Sequence, residues 1–214
     1  FIPGGTQVNL ICISSFLKQY EAAIAADTGH IAVHETGAIE ACGHKVITAM
    51  SNDGKLTVDK VEKILKIHSD EHMVKPRLVY ISNSTEIGTI YKKQELIDLY
   101  TYCKEKDLLF FIDGARMGSA ITSSENDLKL SDLVNLCDAF YIGGTKNGAL
   151  FGEALVICNE SLKKDFRYNI KQKGALLAKG RLLGIQFMEL FKDNLFFDLA
   201  KHANEMATLL QDAL

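Results

Sequence analysis

The sequence predicts an α/β protein of three layers, α/β/α, with helices on both faces of a mostly parallel sheet. Apolar runs of strand length alternate along the chain with longer amphipathic segments, and this alternation is typical of parallel strands joined by helical crossovers. The chain of 214 residues is 47% hydrophobic, which is enough to build one sizeable core. Only two prolines interrupt it, and no internal repeat, linker or low-complexity tract divides it.

Six apolar runs are predicted to be strands because their lengths and residue types suit buried positions in a sheet. They are residues 22–26, 45–49, 77–82, 108–112, 139–142 and 154–158. Helices are predicted where apolar residues recur every three or four positions. The helical segments are residues 7–17, with Thr6 as the N-cap, and residues 57–65, 93–104, 130–136, 160–171, 175–190 and 195–214.

Composition removes several classes of function. The formal net charge is -3, and no cluster of lysine and arginine is interleaved with aromatic residues, so we expect no binding to nucleic acid or to an anionic membrane. No stretch of 18 apolar residues is present to span a bilayer. The five cysteines are scattered and never spaced as C-x-x-C, which predicts reduced thiols in a cytoplasmic protein.

Lys146 is the only charged residue between Asp138 and Glu153. It follows the predicted strand 139–142 through a glycine turn, and further glycines separate it from the strand at 154–158. Loss of water around an amine lowers its pKa, which a lysine that forms a Schiff base requires. The alternative is an ordinary surface lysine on a flexible loop.

A second strand end carries a carboxylate. The apolar run 108–112 delivers Asp113, and Gly114, Ala115 and Arg116 follow it. Functional side chains of α/β proteins gather at the carboxyl ends of the strands. Asp113 together with Lys146 therefore forms the pair that a pyridoxal phosphate (PLP) site requires, with the lysine bonding the aldehyde and the carboxylate keeping the pyridine nitrogen protonated.

Two further segments suit the same edge of the sheet. Residues 4–6, Gly-Gly-Thr, precede a helix, and the free N–H groups and dipole of a helix N-terminus favour an anion such as phosphate. His30 follows the strand at 22–26, although a purely structural histidine is the alternative. The helical spacing of His30 and His34 would allow a metal site with Glu35, but the order is not H-E-x-x-H and no third strong ligand is evident.

The polar loop at residues 83–89, Asn-Ser-Thr-Glu-Ile-Gly-Thr, follows the predicted strand 77–82. Loops in this position hold ligand contacts in α/β sheets. The same composition also fits a simple turn into the helix at 93–104. The sequence leaves both possibilities open.

The segments that carry these candidate residues resemble one known family, the low-specificity threonine aldolases, which are fold-type-I PLP enzymes related to the β-eliminating lyases. They are Gly4-Gly5-Thr6-Gln7, His30, Glu35, Asp113-Gly-Ala-Arg116 and Lys146. Their order and spacing match over residues 1–180, and the glycine-flanked lysine after Asp-Gly-Ala-Arg is the strongest joint signal. The loop at 83–89 looks like the variant of the bacterial phenylserine and threonine aldolase branch.

The resemblance implies a role for each candidate. Lys146 would bond covalently to the PLP aldehyde, Asp113 would bond the pyridine nitrogen, and Arg116 would lie near the ring hydroxyl. His30 would stack on the ring close to the substrate hydroxyl, where it, or a water that it holds, would act as the base. The phosphate would be bound by Gly5, Thr6 and Gln7 at the helix N-terminus.

The resemblance also implies an activity and an organisation. The reaction would cleave β-hydroxy-α-amino acids such as threonine to glycine and an aldehyde, in a cytoplasmic homodimer or homotetramer that takes a small amino-acid substrate. Residues 1–180 would form a PLP-dependent transferase-like large domain, and residues 181–214 would be helices that lead toward a small C-terminal domain absent from this chain. Because the family's groups that grip the substrate carboxylate lie in extensions at both ends, we expect a complete cofactor site and an incomplete substrate site.

Three alternatives stay open at this stage. Another fold-type-I enzyme, such as a β-eliminating lyase or an aminotransferase, uses the same lysine and aspartate. A binding or regulatory protein would keep the fold without the chemistry, although the intact Asp113, Arg116 and Lys146 disfavour it. A nicotinamide-binding domain is disfavoured because no G-x-G-x-x-G follows a strand.

Overall fold

Six strands form one sheet in the computed structural model, which describes residues 1–214. The strands are β1 (Glu21–Ala26), β2 (Val46–Ala49), β3 (Lys75–Ser82), β4 (Leu109–Asp113), β5 (Ala139–Gly143) and β6 (Glu153–Ile157). They lie in the order β2-β1-β3-β4-β5-β6, in which β1 to β5 are parallel and β6 runs antiparallel to β5 at the edge. The predicted mostly parallel sheet is confirmed, and all six predicted strands are present.

Nine α-helices surround the sheet. They are α1 (Gly5–Phe16), α2 (His30–Val33), α3 (Ala38–Ala41), α4 (Val58–Ile67), α5 (Lys93–Glu105), α6 (Met117–Thr122), α7 (Phe166–Gln172), α8 (Arg181–Phe191) and α9 (Leu195–Asp212). Short 3-10 turns occupy Leu130–Asn135, Glu160–Leu162 and Lys192–Asn194.

Alternate residues of each strand enter two separate cores, one on each face of the sheet. Phe110 and Ile112 of β4 lie in a larger core with side chains of α4, α5, α8 and α9, whereas Phe111 faces a second core with α1 and α7. Successive side chains of a strand point to opposite faces, so a strand that is apolar at every position is buried on both. This arrangement confirms the three predicted layers.

Some helix boundaries differ from the prediction. The first helix begins at Gly5 with Gly4 as its N-cap, so Thr6 lies inside the first turn and the prediction of Thr6 as the cap was wrong. The helix predicted at 160–171 is divided into a 3-10 turn and α7, because Asp165 adopts a positive φ of 57° that no continuous helix accommodates. The helix predicted at 175–190 starts only at Arg181.

The last two helices pack onto the main core. Phe187 and Leu190 of α8 and Phe196 of α9 are buried in it. The Asn147 side chain donates a hydrogen bond to the Phe196 carbonyl at 2.8 Å, and Asn204 of α9 donates one to the Ser119 carbonyl at 3.0 Å. These contacts hold α9 against α6 and against the loop that carries Lys146. The division into a large domain at residues 1–180 and helices that lead toward a small domain at residues 181–214 stays a prediction.

Two global features bear on the expected setting. None of the helices combines the length and the apolar character that crossing a bilayer requires. All five cysteines are free thiols.

Gly114, which follows β4, occupies a position with no room for a side chain. A Cβ there would overlap the Tyr141 carbonyl oxygen and lie 2.9 Å from the Met117 side chain. We expect Gly114→Ala to lower the free energy of unfolding by about 3 kcal/mol, since backbone must move to admit the methyl group. Urea denaturation followed by circular dichroism measures the change.

Gly4→Ala is the matched control, because a Cβ at Gly4 would meet no atom within 4 Å. The control should change stability by no more than about 1 kcal/mol. Equal stability losses in the two variants would contradict the packing argument.

Candidate active site

The carboxyl ends of three neighbouring strands meet at one edge of the sheet. Ser82, the last residue of β3, is the register partner of Asp113, the last residue of β4. The Asn83 amide donates to the Asp113 carbonyl at 2.9 Å, and the Gly143 amide at the end of β5 donates to the Gly114 carbonyl at 2.9 Å. These backbone bonds hold the segments after the strands together, which brings Asp113 and the lysine loop to the same edge.

Asp113 is buried, with 3% of its surface exposed, and each of its carboxylate oxygens accepts two hydrogen bonds. The Asn9 amide (2.9 Å) and the Tyr80 hydroxyl (2.5 Å) donate to Oδ2. The Tyr141 hydroxyl (2.5 Å) and the Ala115 amide (2.9 Å) donate to Oδ1. The carboxylate is therefore fixed in one orientation by groups from several elements.

The two tyrosines that hold Asp113 are buried donors. Burial raises the pKa of Tyr80 and that of Tyr141 far above the ordinary phenol value, and the negative charge of Asp113 raises both further. Both hydroxyls therefore keep their protons and donate to the carboxylate.

Lys146 lies three residues beyond the end of β5, on an exposed part of the loop. Although the side chain is exposed in this chain, the pKa of its amine is lowered, first by partial loss of water and then by the positive charge of Arg116. The negative charges of Asp113, Glu153 and Glu86 act in the opposite direction. A lowered pKa increases the neutral, nucleophilic fraction of the amine.

Glu153 anchors the loop that carries the lysine. Its Oε2 accepts the Gly144 amide at 2.8 Å, and burial raises the pKa of its carboxyl group. Its backbone forms two hydrogen bonds with Ile2, at 3.0 and 2.8 Å. Across the loop, the Thr145 hydroxyl accepts the Gly152 amide at 3.1 Å. The loop is therefore closed at its base and held to the amino-terminal segment.

His30 is the first residue of α2. Its Nδ1 lies 2.9 Å from Glu35 Oε1, and this hydrogen bond is the main cause of the raised pKa of His30. Glu35 also accepts the Asn9 amide at 2.8 Å, and the same Asn9 nitrogen donates to Asp113. A continuous polar chain thus runs from His30 to Asp113.

Glu86, in the loop at residues 83–89, joins the site from β3. Its Oε1 accepts the His30 backbone amide at 2.9 Å and the Ser82 hydroxyl at 2.5 Å. In the same loop the buried Asn83 accepts the Tyr91 amide at 3.2 Å. The loop therefore leads into α5 and also supplies Glu86 to the candidate site.

The first turn of α1 lies beside Asp113. A Cβ at Gly5 would be 3.3 Å from the Tyr141 hydroxyl, which itself donates to Asp113. The amides of Gly5, Thr6 and Gln7 are in the turn where helical partners are missing, so they can bind an anion. The Gln7 side chain is otherwise engaged, because its amide donates to the Lys173 carbonyl at 3.0 Å.

Several members of the site were not singled out from the sequence. Asn9, Tyr80, Tyr141 and Glu86 were missed as individual residues. The tyrosines look like core residues of apolar strands, and Asn9 looks like a polar residue of an otherwise apolar helix. The one available signal for Asn9 is its spacing of four from Gly5, which places both on one helix face. His34 is exposed, with its ring centroid 5.5 Å from that of His30.

Comparison with known proteins identifies the family. The family model described as Beta-eliminating lyase matches residues 1–214, the whole chain. The chain belongs to the beta-eliminating lyase family. Within the family, the expected resemblance to threonine aldolases is confirmed by similar proteins that carry that name.

Three relatives of this family member illustrate the likeness. A low specificity L-threonine aldolase from Pseudomonas sp. is 36% identical over 98% of this chain and 61% of its own length. That of Pseudomonas aeruginosa is 35% identical over 99% of this chain and 62% of its own. A solved structure of Leishmania major threonine aldolase is 58% identical, with a TM-score of 0.97, over 99% of this chain and 62% of that chain. The chain thus spans about three fifths of each relative.

The pairing of His30 with Glu35 predicts a pH effect. The folded-state pKa of His30 is raised above its ordinary value of 6.5, so the pair's stabilisation is complete below that unfolded value and is lost as pH rises through the folded pKa. We expect Glu35→Gln to lower the His30 pKa toward 6.5. The variant should also lose less free energy of unfolding than the wild type as pH rises through the folded-state pKa of His30. Imidazole titration by NMR and urea midpoints at several pH values measure both.

Asp70→Asn is the control for this experiment, since it removes a carboxylate from the exposed pair with His72. It should leave the titration of His30 unchanged. An unchanged His30 pKa in Glu35→Gln would show that the carboxylate does not control the imidazole.

Proposed function

We propose that this chain is the cofactor-binding part of a PLP-dependent lyase that cleaves β-hydroxy-α-amino acids, such as threonine, to glycine and an aldehyde. The observation that carries the proposal is the convergence of the Lys146 amine, the buried Asp113 carboxylate and the α1 N-terminus at one edge of the sheet. The amine, the carboxylate and the free N–H groups of the helix match the aldehyde, the pyridine nitrogen and the phosphate of one PLP molecule. The names of the relatives support the reaction type.

The residues present fit PLP. A phosphate is a match for the unpartnered amides of Gly5, Thr6 and Gln7, and an aldehyde is a match for an amine of lowered pKa. Asp113 supplies a carboxylate for a protonated ring nitrogen, and Tyr141 places it next to the first turn of α1. When bound, PLP supplies an electron-withdrawing ring that stabilises negative charge on the substrate Cα.

The chain's own residues divide the remaining work. Asp113 holds positive charge on the ring nitrogen, and its four donors keep it from turning away. Arg116 is exposed, and its positive charge lowers the pKa of Lys146; we assign it to the region of the ring hydroxyl. His30 stands as the ring-stacking residue, with its orientation set by Glu35.

Cleavage of the Cα–Cβ bond requires removal of the proton from the β-hydroxyl group. The groups available at this edge of the sheet are His30 and Glu86, which are joined by a backbone hydrogen bond. Residues for the substrate carboxylate are not assigned within this chain.

A second candidate reaction uses the same cofactor residues. The family description, beta-eliminating lyase, favours β-elimination as the rival, and transamination would need the same Lys146 and Asp113. The products distinguish these reactions, because elimination gives pyruvate or another keto acid and retro-aldol cleavage gives glycine and an aldehyde.

We further propose that the protein acts as a homodimer or homotetramer in the cytoplasm. Leu150 is 90% exposed and Phe151 is 37% exposed, close in sequence to Lys146. Apolar side chains exposed beside a site suit burial by a second subunit. Sedimentation of the full-length protein tests the oligomeric state.

Lys146→Ala tests the cofactor and the reaction together. In the full-length protein incubated with PLP, the variant should lose the absorbance band of the lysine-bound cofactor between about 330 and 430 nm and all release of glycine and acetaldehyde from threonine. Without the amine, no covalent bond to the aldehyde can form. Absorbance spectra before and after borohydride and a product assay measure both effects.

Lys164→Ala is the matched control, since Lys164 is an exposed lysine outside the site. It should keep both the spectrum and the activity. A Lys146→Ala protein that keeps the absorbance band would refute the cofactor assignment, and release of pyruvate from threonine by the unmodified protein would favour the rival reaction.

A further inference from the structure

Glu86 presents one carboxylate oxygen that the fold does not use. Both of its hydrogen bonds, from the His30 amide and the Ser82 hydroxyl, end on Oε1. Oε2 is left available, while Oε1 fixes the orientation of the group. The side chain is half-buried, so the carboxylate is held at the edge of the sheet without being sealed inside it.

The position of this carboxylate relates it to the reacting groups. The negative charge of Glu86 acts to raise the pKa of the Lys146 amine. Its bond to the His30 backbone sets it beside the expected ring-stacking residue. Other titratable groups around it are Asp113 at the end of β4, which also acts on Lys146, and the buried Tyr91, whose pKa the charge of Glu86 helps to raise.

His30 and Glu86 differ in how their polar atoms are used. His30 Nδ1 lies 2.9 Å from Glu35 Oε1, and this hydrogen bond raises the pKa of the imidazole. Glu86 keeps Oε2 without a hydrogen bond, while two donors hold its Oε1. A carboxylate oxygen that is fixed in position and has no donor is suited to accept the proton of the β-hydroxyl.

We propose that Glu86 is the catalytic base that accepts the proton of the substrate β-hydroxyl, with Ser82 and the His30 backbone as its positioning groups. The inference rests on the proposed function and deepens it, since it replaces His30, the base expected from the sequence. Oε2 of Glu86 has no hydrogen bond, and the two bonds to Oε1 hold the carboxylate beside His30.

The step is balanced without any co-reactant. Glu86 Oε2 takes the hydroxyl proton, and the O–H electron pair becomes the second bond of the aldehyde C=O as the Cα–Cβ bond breaks. The pair from that bond remains on Cα, which takes a proton from solvent and gives glycine. Glu86 then returns its proton to solvent, and the sum is one amino acid converted to glycine and one aldehyde.

Glu86→Gln is the decisive variant, because the amide oxygen can still accept from Ser82 and the His30 amide, but the group is no longer a base. In the full-length holoenzyme we expect kcat for threonine cleavage to fall about 100-fold or more. Exchange of a glycine Cα proton with D2O, which involves no β-hydroxyl, should stay within about threefold of the wild type. NMR follows the exchange, and glycine release follows the cleavage.

Glu62→Gln makes the same chemical change in the exposed pair with Lys66, and it should alter neither rate. Retained cleavage in Glu86→Gln would overturn the assignment. Loss of both cleavage and exchange would overturn it as well, because Glu86 would then be only a structural support. If the unmodified holoenzyme exchanges glycine protons but never cleaves threonine, the proposed function itself fails.

The wild-type pH profile gives a test that does not depend on a variant of Glu86. If His30 were the base, kcat/KM would fall with acid at a pH above 6.5, its ordinary pKa, and Glu35→Gln would move that fall toward lower pH. Because we assign the base to Glu86, we expect Glu35→Gln to leave the pH at which kcat/KM falls with acid unchanged. A fall that does so would assign the base to His30 and refute the role of Glu86.

Discussion

The four hydrogen bonds to the Asp113 carboxylate hold the candidate site together. Burying a carboxylate costs several kcal/mol, and hydrogen bonds to a charged acceptor offset about 1.5–3 kcal/mol each. The donors come from α1, β3, β5 and the turn after β4, so each element must be in register for the carboxylate to be satisfied. A site of this kind is assembled only when the sheet is complete, which ties the chemistry to the global fold.

Much of the fold follows from local patterns. The apolar runs predicted all six strands, because a strand that is buried on both faces is apolar at nearly every position. The same logic placed Asp113 and Lys146 at neighbouring strand ends. Helix boundaries between residues 160 and 181 were less predictable, since the amphipathic pattern continues through Asp165, whose positive φ angle separates the 3-10 turn from α7.

The parts of the site that escaped prediction share one property, which is that their role exists only across the fold. Asn9 meets Asp113 over a separation of 104 residues, and Glu86 meets His30 over 56. No spacing rule connects such positions. The polar loop at 83–89 was recognised as a ligand-loop candidate, but Glu86 was not singled out, although it is the one ionisable residue among the seven.

The backbone pairing between Ile2 and Glu153 has a mechanical consequence. It covers part of the outer rim of the last strand, where unpaired amides and carbonyls would otherwise invite another chain to add on. The Glu153 side chain also accepts the Gly144 amide. One residue therefore both helps to cover the edge of β6 and holds the base of the loop that carries Lys146. Loss of the pairing with Ile2 would therefore expose backbone groups of β6 and remove one restraint on the loop that carries Lys146.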